Sequence, residues 1–523
     1  MTLDRRTLLA ASAALPMIPR FARGQAAQDE LRIAAATEWL ALDPHFHVFP
    51  ANLSIAHHVF DALTVTDRAG RARPRLAASW APIGTEGWRF DLDPRARFSD
   101  GAPVTSADVA ASIARIPKVP NTTGPLTPMV RPISAVETPD PRTVILRTAA
   151  PAPLLPIYLS AVYVIPARLA DETTERFNAG DALVGSGPFR FAGWQRGDRL
   201  TLERRDDHWA GPSEWRRVVY RVMTNPASRE AALLARDVDF IQTPSTASMA
   251  RLRREQGLAV FQAPSTRLTY VQFHQGPEPL ADTTAPGGRN PFADPRVRRA
   301  FSMCIPRQAI AERVMEGLSE PAGQIVAPGQ FGFRRDLGIE AFDTARAQAL
   351  LAEAGYPNGF ETTLSTPNDR NVNGVQIAQA IAQSALRANI KVNVNAVPLN
   401  VWLPQWRAGR YSILLHGFGP PVESLQPVAA LAHTKNMNAG LGVSNEAGYS
   451  NPGLDRLIAG ALSEIDDTKR ENLMLEAAGI VRETTAVVPL HHETIVYTGR
   501  STLAHDARGD ERLYAVEIQR RRA

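Results

Sequence analysis

Apolar and polar positions alternate in short runs along this chain and recur at helical spacing in others. Leu31, Ile33 and Ala35 alternate with polar or small neighbours, which predicts a first strand before the chain turns at Asp43-Pro44. Trp88, Phe90 and Leu92 fall on one face with Arg89, Asp91 and Asp93 on the other, the pattern of a half-buried strand. A helix is predicted from Thr105, with Asp108 three residues on as capping partner, Val109, Ile113 and Ile116 on one face, and Pro117 as the stop. Asp343 opens another helix that buries Ala347, Leu350, Leu351 and Ala354 and ends at Gly355. The run QIAQAIAQSALR reads as a helix and is followed by Val392, Val394 and Ala396 in strand alternation, an order that argues for an α/β lobe. Two further amphipathic helices are expected near the end, the first opened by Pro452.

One stretch, GSGPFRFAGWQRGDRLTLERRDDHW from Gly185 to Trp209, raises a functional question. A phosphate cradle needs a helix N-terminus after its glycines, whereas here Leu200 and Leu202 alternate with polar residues and predict a strand pair. A nucleophile elbow needs one residue between the serine and each flanking glycine, and Ser186 touches Gly185 and Gly187 directly. The glycines are therefore expected to mark a corner.

The length, 523 residues with 44% hydrophobic and 21% charged side chains, exceeds what one core usually organises, so two or three lobes are expected. Residues 1–26 read as an export signal: the Arg5-Arg6 pair precedes a short apolar stretch, and the order resembles the twin-arginine type. No cysteine follows for lipid attachment and no later run of about twenty apolar residues exists, so a periplasmic, unanchored protein is expected. Cys304 is the only cysteine, which rules out an intrachain disulfide and a multi-cysteine metal cluster and reads as a buried helix end. The leader carries four arginines and one aspartate, so the net charge of +5 falls to +2 without it. Acidic and basic residues are interspersed, and no track for nucleic acid emerges.

The segments RPRLAASW, WRFDLDPRARFSDGAPVTSADVAASIARI, GSGPFRFAGWQRGDRLTLERRDDHW, FADPRVRRAFSMCIPRQAI, ARAQALLAEAGYPNGF and YSNPGLDRLI resemble, in the same order, the signatures of the family 5 extracellular solute-binding proteins. These are oligopeptide, dipeptide, glutathione and nickel receptors of ABC importers. The resemblance implies an α/β, two-lobed type II periplasmic binding protein fold with an extra inserted lobe and the ligand in the interlobe cleft. It implies lobe I from 27–60, 186–265 and 485–523, the inserted lobe from 61–185, and lobe II from 266–484. It further implies a monomer that captures a peptide or other small solute by hinge closure and delivers it to a permease, with no cofactor.

Two stretches then become candidate pocket walls. The segment after the first strand offers Trp39, His47 and Phe49, and VWLPQWRAGRYSILLHGFGPPVES offers Trp402, Trp406, His416 and Phe418. Aromatic faces bury large areas at little rotamer cost, although each of these rings could equally fill a lobe core. Tyr449 and Arg370 are further candidates, Arg370 because its exposed loop can present a guanidinium to a carboxylate. Peptide-binding members usually carry an aspartate shortly after the glycine-aromatic pair, but this chain reads Gly417-Phe418-Gly419-Pro420-Pro421, with Glu423 the nearest acid. That departure puts a free peptide amino terminus in doubt as the recognised group, because an ammonium buried without counter-charge is costly.

Rival readings are a metal or metal-chelate receptor using His47 and His416, a periplasmic metalloenzyme built on the pairs His57-His58 or His491-His492, and a sensor or chaperone sharing the fold. The helical two-histidine zinc motif fails, since its second histidine would stand at Val496. Adjacent histidines also point in different directions. No nucleophile, base and orienting group can be assembled from the motifs, so no catalysis is expected.

Overall fold

The structure is a computed structural model that describes residues 29–122, 124–419 and 422–522. The export signal expected at 1–26 lies outside them, as do Pro420 and Pro421 of the departure noted above.

Eleven strands form one sheet that passes through two halves of the molecule. In the first half the strand Glu30–Ala35 pairs in parallel with Arg217–Val222 and Phe240–Gln242. The hairpin Phe189–Gln195 and Arg199–Arg204 extends that edge in antiparallel register. In the second half Phe360–Pro367 lies between Ile390–Val397 and Ile413–Phe418, all parallel. Helix Gly374–Ala385 connects the first two of these strands, the crossover that parallel strands require. Two long antiparallel strands, Leu258–Phe273 and Val488–Arg500, belong to both halves and carry the chain between them. Their register breaks between Pro264 and Leu268, so residues 265–267 and Glu493 drop out of the mutual ladder where the halves meet.

Separate apolar cores confirm the multi-lobe expectation. One gathers around Leu31, Ile33, Phe240 and Tyr497, and two others fill the second half, around Phe301 and Leu364 and around Trp402 and Leu454. A fourth, with Phe90, Val109 and Leu146, sits under a separate four-stranded sheet within residues 77–148. The local patterns fold as read. Trp88, Phe90 and Leu92 are buried, and the Asp108 carboxylate accepts hydrogen bonds from the backbone N–H and hydroxyl of Thr105 at 2.8 Å each. Asp343 caps its helix by accepting the Arg346 N–H at 2.8 Å, and Cys304 is fully buried at a helix end.

The Gly185-Ser186-Gly187 stretch is a corner. A Cβ at Gly185 would stand 1.9 Å from the Val59 carbonyl oxygen, and one at Gly187 would stand 2.6 Å from that of His58. Glycine is needed there for close backbone approach. Ser186 is fully buried and its Oγ accepts the Asp61 N–H at 3.2 Å, so it has no nucleophile's exposure.

Candidate functional site

A cavity of about 680 Å³ opens where the two halves meet, well within the size range of small-molecule sites. One wall comes from the first half: the segment Ala35–Leu40 that leaves the first strand, Phe49 and Ile55 of the following helix, and Tyr220 and Tyr497. Met315, Arg370 and Val372 border it from the second half. The floor is made by Ser265, Arg267, Glu493 and Thr494 at the register break, with Glu511 behind them.

The walls are apolar and the floor is charged. Trp39 is nearly buried and stands edge-on to Tyr220, with centroids 5.7 Å apart. Leu40 and Phe49 on one lip and Val372 on the other keep 46%, 54% and 45% of their surface exposed, an unusual exposure for large apolar side chains facing a common gap. On the floor the Arg267 guanidinium makes a bidentate pair with Glu511, both N–O distances 2.9 Å. Glu493 approaches the same guanidinium only to 3.7 Å. Burial pushes the Glu493 carboxyl up to about 7, against the opposing pull of Arg267.

Of the residues singled out from sequence, Trp39, Phe49 and Arg370 line this cleft. His47 does not: it is buried, its Nδ1 accepts the Phe49 N–H at 3.0 Å, and its ring lies against Gly124. Trp402, Trp406 and His416 come together, but as a packed group inside the second half, with Trp402 fully buried, 5.5 Å from Trp406 and 4.7 Å from His416. Phe418 is half-buried against the same core. The strand end does approach the cleft, since a Cβ at Gly419 would stand 3.8 Å from an Arg267 nitrogen. His416 is pushed down to about 4 by burial, helped by Arg370 and Arg267, and is neutral at physiological pH. Tyr449 is buried and shares a 2.9 Å hydrogen bond with Thr484.

The paired histidines are packed. His58 bonds the Ser54 carbonyl at 2.6 Å through Nδ1, and its Nε2 accepts the Ala515 N–H at 2.9 Å. His491 and His492 lie buried in the strand Val488–Arg500, pushed by burial down to about 3 and about 4. Among the described residues no group of three or more His, Cys, Asp or Glu side chains is placed to hold a metal ion.

Sequence reasoning missed Tyr220, Tyr497, Arg267, Glu493 and Glu511. The available signal was a charged residue inside each of two strand-like runs, Arg267 before Leu268 and Glu493 inside HHETIVY. Glu423, the acid nearest the glycine-aromatic pair, is not in the cleft. It is buried against a small separate cavity, accepts the Leu425 N–H, and is likewise pushed up by burial to about 7.

Comparison with known proteins agrees with this architecture. The sequence model described as bacterial extracellular solute-binding proteins, family 5 Middle, matches residues 71–438. The glutathione-binding protein of Pectobacterium atrosepticum is 25% identical over 500 residues, which cover 91% of this chain and 90% of the relative. Among solved structures, HbpA2 of Haemophilus parasuis superposes with a TM-score of 0.82 at 19% identity, over 94% of this chain and all of the other. A periplasmic murein tripeptide-binding protein in its unliganded open form gives 0.81 at 20% identity, covering 94% of this chain and 97% of its own.

Proposed function

Because the chain belongs to the bacterial extracellular solute-binding proteins of family 5, we propose that it is the periplasmic receptor of an ABC importer, capturing a peptide or other small solute and presenting it to the permease. The observation that carries this reading is the 680 Å³ cleft bordered by both lobes, with exposed apolar lips on each side. A solute touching both walls stabilises the closed arrangement over the open one by the contacts it makes only there. Burying Leu40, Phe49 and Val372 against it adds apolar area at about 25 cal/mol per Å². Micromolar capture requires only about 8 kcal/mol.

The lobe division that goes with this reading is 27–60, 186–265 and 485–523 for lobe I, 61–185 for the inserted lobe and 266–484 for lobe II. Export through the twin-arginine route and action as a monomer complete the proposal. Family members are binding proteins, and the cleft is expected to return its solute unchanged. The test is thermal-shift screening against peptides and small solutes, with mass analysis of the recovered solute. A true ligand at about a hundred times its Kd adds about 2.7 kcal/mol of stability. A midpoint insensitive to every solute class, or a solute recovered chemically altered, contradicts the reading.

A further inference from the structure

Resting on the solute-capture reading, we propose that Glu493 at the cleft floor is the counter-charge for a cationic nitrogen of the solute, so that this receptor selects amines or amine-bearing zwitterions.

The argument is one of unpaired charge in a built site. The register break between Pro264 and Leu268 brings Ser265 and Arg267 of one crossing strand to the same floor as Glu493 of the other. Arg267 is committed to Glu511 through two hydrogen bonds of 2.9 Å, and the Ser265 hydroxyl adds a third to Glu511 at 3.2 Å. Glu493 receives no side-chain hydrogen bond among the described residues, and its nearest cation is Arg267 Nε at 3.7 Å, beyond hydrogen-bond reach. Arg267 thus serves two carboxylates and is spent on one of them, while the second guanidinium acting on Glu493, that of Arg370, stands off across the cleft, so Glu493 is the carboxyl left without a close partner. The Glu493 side chain is four-fifths buried, with 20% of its surface left open to the cleft. A carboxylate so placed lacks both bulk water and a full partner, and a cationic donor from the solute supplies what is missing.

Arg370, across the cleft, makes no hydrogen bond or ion pair among the described residues. It offers the complementary site for an anionic end, which is why a zwitterion fits the pair of charges. The acid that this chain lacks after Gly417-Phe418 is not replaced by Glu423, which lies outside the cleft. It is replaced from the hinge.

Proton linkage gives an independent signature. Besides Arg267 and Glu511 on the floor, the charged group acting on Glu493 is Arg370 from the second half. Burial leaves Glu493 partly protonated near pH 7, and a cation bound beside it favours the ionised form. Binding then releases protons, and affinity rises from pH 6 to pH 8.

The test is native mass spectrometry of the full chain incubated with a mixture of casein peptone, free amino acids and spermidine, before and after the mixture's amines are acetylated. The wild-type protein is expected to retain amine-bearing solutes from the untreated mixture, and from the acetylated mixture only those that keep an arginine side chain. Glu493→Gln, with a thermal midpoint no lower than that of the wild type, is expected to weaken retention at least roughly ten-fold, the scale of losing one charge-assisted hydrogen bond. Equal retention of acetylated solutes without arginine, or undiminished retention by Glu493→Gln, overturns the assignment of Glu493 while leaving solute capture standing. Retention of nothing by the wild-type protein overturns solute capture itself and this inference with it. The acetylation arm needs no variant, so a poorly folding Glu493→Gln protein does not blunt the test.

Discussion

The stretches Trp39 to Phe49 and Trp402 to Phe418 have the same composition signature, aromatic and histidine side chains close to the end of a strand, yet the protein uses them differently. In the first, Trp39 and Phe49 reach the cleft, and Phe49 leaves half of its surface to solvent. In the second, Trp402, Trp406, Tyr411 and His416 stack on one another and close a core. The difference lies in what covers each segment. Leu40 and Phe49 keep about half of their surface open at the cleft, whereas helix Leu399–Arg407 lays Trp402 and Trp406 against the buried faces of Tyr270, Leu414 and Leu454. An aromatic ring marks a binding wall only when the chain leaves one of its faces without a protein neighbour.

Substitutions can break this contrast, and the largest effect is expected in the closed stack. Trp402→Ala removes a fully buried indole and is expected to cost about 3–5 kcal/mol in urea unfolding, with the range of solutes bound by the surviving folded protein unchanged. A stability loss under about 1 kcal/mol would show that the stack is loosely packed and open to ligand.

Next is Glu423→Gln. The Glu423 carboxyl is held near 7 by burial, so the folded protein binds its proton more tightly than the unfolded chain does. That favourable contribution is complete below the ordinary carboxyl range and is lost as pH rises through about 7. Glu423→Gln is therefore expected to stabilise the protein by the order of 2 kcal/mol at pH 8 and to change little at pH 5. Solute binding should be untouched, in contrast to Glu493→Gln.

Phe49→Ala reverses the Trp402 pattern: with the ring 54% exposed, stability is expected to change by less than about 0.5 kcal/mol, while solute affinity falls several-fold. Unaltered affinity in a calorimetric titration would remove Phe49 from the wall. Arg370→Ala sharpens the comparison least. It is expected to weaken anionic or zwitterionic solutes only about three- to ten-fold, because an exposed cation is worth little, and to leave simple amines unaffected.

What the chain reveals by itself divides along physical lines. Features governed by neighbours in sequence were legible: the Thr105–Asp108 capping box and the alternation of Trp88, Phe90 and Leu92. The corner at Gly185 to Gly187 was legible from what its local pattern excludes, although the backbone that demands glycine there is that of distant His58 and Val59. The two-lobed α/β architecture followed from the ordered motifs. The site was legible only in part, through Trp39, Phe49 and Arg370. Arg267, Glu493 and Glu511 meet from three distant segments at a break in strand register, and nothing local to any of them encodes that meeting. For the same reason HHETIV suggested metal chemistry, while in the fold its histidines pack away and the glutamate lies on the cleft floor.

Closure of the cleft on a solute is measured most directly by the distance between spin labels at Leu40→Cys and Val372→Cys, one exposed on each lip. The native Cys304 is fully buried with its thiol pushed up to about 12, so it stays unlabelled. Addition of the peptone and amine mixture is expected to shift the distribution to a shorter, narrower distance, reversed by dialysis. An unchanged distribution at a solute concentration that saturates binding would contradict the clamp.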